Sequence, residues 1–216
     1  MNVPAIAKRS FDELRNHPEY NGIINTVVTA LKKIKSSIQR AKHVHEVVDQ
    51  YNEEVFSHPL VKQLSPCKKG CSACCHTQVS VTQDEAELLF QRIQEGAKVD
   101  LNRLKIQMTV MNNGEDFFKL TYEDRRCIFL DKEGACTVYE DRPSVCRTNA
   151  VLSDASLCDT SLGIKPIRLI KTSKSDMAIY AFYLASEDSG TLPFMVSKLL
   201  LQNKSENIFI VNKDYL

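Results

Sequence analysis

The sequence predicts a mainly α-helical fold with a small β-hairpin: a helical bundle, with one long N-terminal helix, around a cysteine-rich module. Apolar residues recur at steps of three or four from Ile24 to Val55, which is the period of an amphipathic helix. All eight cysteines lie between Cys67 and Cys158, so the module occupies one window of the chain. Two short β-type runs inside that window, CIFL and CTVY, predict the hairpin.

The composition is that of an ordinary globular protein, with 216 residues of which 43% are hydrophobic and 25% charged. The net charge of +1 offers no general attraction to nucleic acid or to an anionic membrane, so we expect neither partner. The longest apolar run, from Met177 to Ala185, is far shorter than the ~20 residues that cross a bilayer. The N-terminal stretch lacks an apolar run of signal-peptide length. We therefore expect a cytoplasmic protein with reduced thiols.

We divide the chain into a helical N-terminal arm (1–64), a cysteine-cluster domain (65–160) and a C-terminal α/β segment (161–216) that packs on the same core. A short helix over 5–16 precedes the long helix, which spans about Gly22 to Phe56. The single apolar stripe of the 22–56 helix suits either a homodimer through this helix or one member of a bundle within the chain.

The remaining elements follow from capping and turn signals. Thr82 and Glu85 form a predicted capping box, which opens a helix that ends at Gly96. Pro143 then breaks the chain before Cys146, which we place on a short turn or helix. The other predicted elements are a hairpin over 127–139, helices over 100–112, 176–186 and 192–202, and strands over 168–171 and 207–211.

The cysteines form two groups of soft ligands for a metal. Thiolates bind zinc and iron–sulfur centres, and the cation offsets the cost of burying a negatively charged sulfur. Eight thiols suffice for two four-coordinate sites, or for one cluster with spare thiols. We expect Arg142 and Arg147 to offset thiolate charge or to donate hydrogen bonds to sulfur. The candidate ligands are Cys67, Cys71, Cys74 and Cys75 in the first group, and Cys127, Cys136, Cys146 and Cys158 in the second.

The first group, CKKGCSACC, faces one region of space whether it is helical or a loop. As a helix it would present its four thiols within an arc of about 120°, while Gly70 favours a knuckle-like loop. The side chains of Cys74 and Cys75 diverge, so we expect them to bind different metal atoms, or one of them to be spare. His76 is a further candidate ligand, although eight thiols make it dispensable.

Disulfide bonds are the alternative explanation of so many cysteines. Two observations disfavour disulfide bonds. The sequence shows no secretion signal, and Cys74 and Cys75 are adjacent, so a disulfide between them would strain the peptide that joins them. A simple zinc ribbon is disfavoured too, because the CxxC pair that it needs twice occurs here only once, as Cys71-Ser-Ala-Cys74. A less regular metal module is therefore the favoured interpretation.

Three stretches of the chain resemble the CxxCxxCC cysteine-cluster family (YkgJ-like), whose domain is described as zinc- or iron-chelating. They are CKKGCSACC (67–75), VTQDEAELL (81–89) and CIFLDKEGACTVYEDRPSVCR (127–147), and the resemblance covers about residues 65–150. The resemblance and the cysteine spacing both support six of the cysteines as metal ligands. Cys67 is supported as a ligand mainly by its closeness to the others in the sequence, and Cys158 only because it lies in the same cysteine-containing stretch. Three residues separate Cys67 from Cys71, where the family pattern has two. The six ligands are Cys71, Cys74, Cys75, Cys127, Cys136 and Cys146.

Metal binding is the function that the sequence favours, with zinc or an iron–sulfur cluster such as a 4Fe–4S centre as the cofactor. One alternative is an iron–sulfur-dependent enzyme with a protein-modifying or redox activity. This alternative is suggested by the flagellin lysine N-methylase, which resembles this family in its cysteine motif and is considered to carry an iron–sulfur centre. A second alternative is a structural zinc module that binds protein or nucleic acid. The chain has no GxGxxG, P-loop or HExxH motif, so no catalytic residue is assigned.

Overall fold

The computed structural model describes residues 3–68, 70–110 and 114–203, and it confirms a mainly helical fold with a small antiparallel β-element. The two strands are β1 (Ser80–Thr82) and β2 (Ser189–Thr191), and short 3₁₀ helices span Ala73–His76, Tyr139–Asp141 and Ala155–Cys158. The α-helices are α1 (Ala5–Leu14), α2 (Pro18–Lys33), α3 (Ser37–Phe56), α4 (Pro59–Leu64), α5 (Gln83–Gln94), α6 (Leu101–Met108), α7 (Gly114–Phe117), α8 (Ser144–Thr148), α9 (Ser173–Ala185) and α10 (Leu192–Gln202).

The N-terminal helices and α9 share one hydrophobic cluster. Helix α9 is apolar on nearly all sides, and it packs against α1, α2 and α3. A helix with this pattern is buried by its neighbours rather than exposed along one face. The cluster therefore brings the three N-terminal helices together around α9, which lies more than 100 residues further along the chain. Its fully or almost fully buried members include Val27, Leu31, Val44, Val48, Leu88, Met177, Phe182 and Tyr183.

A second hydrophobic cluster lies on the other side of α5. Leu88 of α5 belongs to the first cluster, while Leu89 and Ile93 belong to the second, which α6, α10 and the 128–138 segment complete. Cys127 and Cys136 pack against this second cluster. Helix α5 thus lies between the two clusters, and the segment that carries Cys127 and Cys136 packs beside it.

The single helix predicted over 22–56 is wrong, because the structure breaks it into α2 and α3 at residues 34–36. Ser36 caps α3 by accepting a hydrogen bond from the Gln39 amide, and Ile34 leaves the helical conformation. The Arg40 guanidinium binds the carbonyl oxygens of Ile34 and Lys35, which the break leaves without helical partners. The apolar period continues across the break, so periodicity alone does not reveal it.

The apolar stripe that suggested a homodimer is used within the chain. Its members on α2 and α3, including Val27, Leu31 and Val44, are at most 3% exposed and pack against α9. The bundle alternative is therefore the observed one. Among the described residues, no helix combines the length and the apolar character that a membrane span needs. The division of the chain into three segments stays a prediction.

The antiparallel ribbon forms at a different place from the predicted hairpin. Strands β1 and β2 are more than 100 residues apart and pair through Val81 and Gly190. The 127–139 segment does reverse direction as predicted, but its pairing is a single bridge between Leu130 and Cys136. Residues 168–171 likewise contribute one bridge, from Leu169 to Val151. The strand predicted over 207–211 lies outside the described residues.

Candidate metal centre

The first cysteine group forms a compact loop rather than a regular helix. Gly70 adopts a positive φ of 88°, which a β-carbon disfavours, and the Cys71 amide then donates to the Lys68 carbonyl oxygen. Cys74 and Cys75 follow on the 3₁₀ helix Ala73–His76. The knuckle-like alternative is therefore the observed one.

The second group is anchored to the first by the main chain. The Cys127 amide donates a 2.7 Å hydrogen bond to the carbonyl oxygen of Cys75. Gly134, at the turn of the following reversal, adopts a φ of 80° and lies so close to Ser72 that a β-carbon would be 3.3 Å from its hydroxyl oxygen. These contacts bring two stretches that are some 50 residues apart together at one place.

Helix α8, which carries Cys146, is held by a buried carboxylate. Glu85 is 1% exposed, and its Oε1 accepts a 2.7 Å hydrogen bond from the amide of Ser144, the first residue of α8. Its Oε2 accepts from the Thr82 amide, so the predicted capping box of α5 is confirmed. One carboxylate thereby caps two helices, which places Cys146 at a defined position beside α5.

The charge of Glu85 is offset by a polar network that reaches α3. His45 Nε2 lies 3.3 Å from Glu85 Oε1, and His45 Nδ1 lies 3.2 Å from a guanidinium nitrogen of Arg147. Arg147 also forms an ion pair with Asp49. Burial by itself would raise the pKa of Glu85, but the hydrogen bonds from His45, Ser144 and Thr82 lower it below its usual value. The carboxylate is therefore ionised at neutral pH.

Four thiols, which we call the inner group, lie near one another: Cys146 and the three thiols that raise its pKa, Cys127, Cys74 and Cys136. Burial, followed by the neighbouring Cys127, Cys74 and Cys136 thiols, raises the pKa of Cys146 well above its usual value. Burial raises the pKa of Cys127 to about 12 and also raises that of Cys136. A hydrogen bond to the Cys75 thiol, with burial, raises the pKa of Cys74. The inner thiols are consequently neutral at physiological pH unless a cation is present.

Three more thiols, the outer group, lie nearer the surface: Cys67, Cys71 and Cys158. The 3₁₀ helix Ala155–Cys158 packs against Ala73–His76, and the Val151 amide donates to Cys67 Sγ at 3.4 Å. Burial raises the pKa of Cys158, and the Cys67, Cys74 and Cys71 thiols raise it further. Cys158 therefore lies beside the first cysteine group, a position that its place in the sequence did not indicate.

The cysteine side chains are the type of ligand that a soft metal prefers, but in the structure they are too far apart to share one ion. All eight cysteines are free thiols, and seven are at least partly buried. Within the described ranges, no three His, Cys, Asp or Glu side chains are arranged closely enough to hold an ion. Clustered sulfur donors are the ligand type that zinc and iron–sulfur centres use.

Two arginines near the cysteines have different roles. The guanidinium of Arg142 lies 4.1 Å from the ring centroid of Tyr139, and its charge opposes the rise in the pKa of Cys74 and Cys136. Arg147 instead binds Asp49, His45 and the Glu140 and Arg142 carbonyl oxygens in the buried network. Arg142 is thus placed to offset thiolate charge, and Arg147 supports the protein around α8.

His76 and Arg125 fasten the outer group to the body of the protein. The His76 ring stacks on Tyr122 with centroids 4.0 Å apart, and its Nδ1 is 3.2 Å from the Ser72 carbonyl oxygen. The 5%-exposed Arg125 lies over Tyr122 and binds both the hydroxyl and the carbonyl oxygen of Thr160. His76 accordingly has a packing role, and the arginine ties the segment after Cys158 to the core.

Replacing Arg125 with lysine is expected to speed chymotrypsin cleavage after Leu162, which is 89% exposed, by about tenfold. Lysine lacks the planar fork that binds both Thr160 oxygens, so the segment opens more often. The measurement is limited proteolysis of the metal-free protein with mass analysis of the fragments. Arg15→Lys, at an exposed position, is the matched control, and equal rates in the two variants would contradict the clamp.

The network behind the cysteines is largely absent from the sequence-based prediction. The capping box pointed to Glu85, but its second role at Ser144 joins residues 59 positions apart. Nothing in the sequence distinguished His45 from the other histidine on the same helix. Helix α4 and the ribbon between β1 and β2 were not predicted either, since both elements are very short.

Comparison with known proteins gives one match. Residues 66–164, a little under half of the chain, match the family model CxxCxxCC, described as a "putative zinc- or iron-chelating domain". The matched stretch contains all eight cysteines together with β1, α5 and α8. No curated protein and no solved structure matched the chain significantly.

Proposed function

We propose, on the premise that residues 66–164 are a CxxCxxCC domain, that this protein binds zinc or an iron–sulfur cluster through the inner group of thiols. Cys75 and the outer group are proposed as the further ligands, so that all eight cysteines take part in metal binding. Free thiols in this number require a reducing compartment, and we propose the cytoplasm.

The presence of four inner thiols, from three separate stretches of the chain, in one neighbourhood supports this proposal most directly. Each stretch is fixed independently: Cys74 by the 3₁₀ helix, Cys127 by its bond to the Cys75 carbonyl oxygen, and Cys146 by the Glu85 cap. Burying several thiols at one place contributes little hydrophobic stabilisation that aliphatic side chains would not supply. Their shared property is the ability to bind a soft cation.

A bound cation supplies the positive charge that holds these sulfurs as thiolates. The protein contributes their placement, and the Arg142 guanidinium offsets part of the negative charge. In the part of the chain that the structure describes, no three of these thiols are close enough to share an ion, so the inner thiols would have to move toward a common centre to hold one. A metal held there would link α8 to the loop of the first group and stabilise the fold.

The raised pKa values predict that metal binding releases protons even at alkaline pH. At pH 8.8 the Cys127 thiol, with a pKa of about 12, and the Cys146 thiol are still protonated, and the pKa values of Cys74 and Cys136 are raised too, so binding one Zn²⁺ through these four thiols should release clearly more protons than four ordinary thiols would. Ordinary thiols with a pKa near 8.5 would release only about one in total at that pH. Calorimetric titration of the reduced protein with Zn²⁺, in two buffers of different ionisation enthalpy, counts the protons. A value near one would contradict the raised pKa values.

The proposal is tested by purifying the protein without oxygen and measuring zinc, iron, acid-labile sulfide and the visible spectrum. Brown protein with about four iron and four sulfide would identify a 4Fe–4S centre, while colourless protein with one or two zinc ions would identify zinc sites. Freshly reduced protein that neither contains nor takes up metal would show the proposal to be wrong. The enzyme and structural-module alternatives stay predictions, and an iron–sulfur result is required for the former.

A further inference from the structure

A cavity of about 250 Å³ opens beside the 123–137 segment, and among the described residues no cysteine lines it. Two hydrogen bonds between separate segments fix its walls. The Asp100 amide donates to the Ile128 carbonyl oxygen at 2.9 Å, and the Thr137 hydroxyl donates to the Lys98 carbonyl oxygen at 2.8 Å. The cavity is therefore formed before any ligand arrives, and its volume suits a small molecule.

Basic side chains from two separate segments line this cavity. Arg103 and Arg126 do so with side chains that are only 12% and 17% exposed. Lys98 and Lys132 line it as well, and both are exposed. Cations gathered around one concave surface raise the local concentration of anions, so the cavity favours a negatively charged ligand.

Two of the carboxylates in the cavity have fixed structural roles. Asp100 caps α6 by accepting a 2.9 Å hydrogen bond from the Arg103 amide, and it also pairs with the guanidinium of that arginine. Asp131 Oδ1 accepts from the amides of Glu133 and Ala135 at the turn of the reversal. Neither carboxylate can leave without loss of local structure.

The third carboxylate, Glu123, is held only at the surface. Its Oε1 lies 3.2 Å from Arg103 Nη2 and 3.3 Å from Arg126 Nη1, while its side chain is 66% exposed. Ion pairs with an exposed partner are weak, so a competing anion can displace this one. The Glu123 carboxylate thus marks a position where two guanidinium groups, whose planar forks match carboxylate and phosphate, hold an oxyanion.

We propose that this cavity binds a small organic anion, whose carboxylate or phosphate group takes the place of the Glu123 carboxylate between Arg103 and Arg126. Ile128 and Leu130, which are 1% and 6% exposed, give the apolar part of the ligand a wall to pack on. Glu123 turns toward solvent when the ligand binds, and its charge opposes binding. The inference goes beyond metal binding and does not depend on it.

The test is an NMR titration of the reduced, ¹⁵N-labelled wild-type chain with phenyl phosphate, benzoate and inorganic phosphate. We expect saturable changes in the amide signals of residues 98–103 and 123–132. The better of the two aromatic anions should bind at least about fivefold more tightly than inorganic phosphate, because its ring packs on the apolar wall. Comparing phenyl phosphate with benzoate identifies which oxyanion the site prefers.

Glu123→Gln should bind that aromatic anion about tenfold more tightly than wild type, because the amide neither competes for the arginines nor repels the ligand. Glu133→Gln is the matched control: it makes the same change of charge at an exposed position that does not line the cavity, and it should stay near wild type. Arg126→Gln should weaken binding more than about tenfold.

Three results would overturn the inference. One is equal affinity in Glu123→Gln and Glu133→Gln, which would show that Glu123 does not occupy the position of the ligand. Another is the absence of saturable binding of either aromatic anion to both wild type and Glu123→Gln. The third is inorganic phosphate binding as tightly as both aromatic anions, which would exclude an organic ligand. None of these results bears on metal binding, so the proposed function stands or falls separately.

Discussion

Glu85→Gln is expected to lower the free energy of unfolding of the metal-free protein by about 3 kcal/mol or more. The carboxylate accepts hydrogen bonds from Thr82, Ser144 and His45 while it is 1% exposed. An amide can accept at only one of its two positions, so its NH₂ group would face another donor. Both the start of α5 and the start of α8 lose stabilisation, which makes this the largest effect expected of a single isosteric change.

Urea unfolding of the metal-free protein, followed by circular dichroism, measures this loss. Glu95→Gln is the matched control at the other end of α5, where the side chain is exposed and pairs with Arg92, and its effect should stay within about 0.5 kcal/mol. If Glu85→Gln unfolded at the same urea concentration as the control, the double cap would have no energetic role. Zn²⁺ affinity should fall as well, because α8 no longer holds Cys146 in place.

Cys146→Ser is expected to weaken Zn²⁺ binding by more than about 100-fold, exceeding the usual effect of losing a group that only supports a ligand. Cys146 lies in the inner group, where burial and the thiols of Cys127, Cys74 and Cys136 raise its pKa. A serine hydroxyl is a far poorer ligand for a soft metal than a thiolate. Metal content and folding should fall together, because the metal links segments that otherwise depend on Glu85.

Cys67→Ser is the comparison that separates the inner from the outer group. Cys67 is exposed, and its sulfur accepts a hydrogen bond from the Val151 amide at the edge of the site. Its replacement should change the Zn²⁺ affinity of the tightest site by no more than about threefold relative to wild type. Competition with a chromophoric chelator measures both affinities. Equal losses in the two variants would show that the eight thiols do not divide into inner and outer groups as proposed.

Local patterns predicted much of the secondary structure because their physical causes are local. The capping box at Thr82 and Glu85, the helix end at Gly96 with its φ of 102°, and the reversal around Gly134 all depend on residues within a few positions of each other. The break between α2 and α3 was missed because the apolar period runs through it. Its cause is partly distant: Arg40 binds the exposed carbonyl oxygens and also pairs with Asp84 of α5.

The sequence by itself determined the chemistry of the candidate site: eight thiols in one window, the Cys-Cys pair, and the resemblance to a chelating domain that the family model confirms over 66–164. Only the tertiary structure decided which segments meet, that the 3₁₀ helix carrying Cys158 packs against the one carrying Cys74 and Cys75, and that Glu85 of α5 holds the start of the helix that carries Cys146. Ligand type is a property of single side chains and their spacing. Convergence depends on contacts between residues tens of positions apart, which hydrophobic clusters on both sides of α5 bring together.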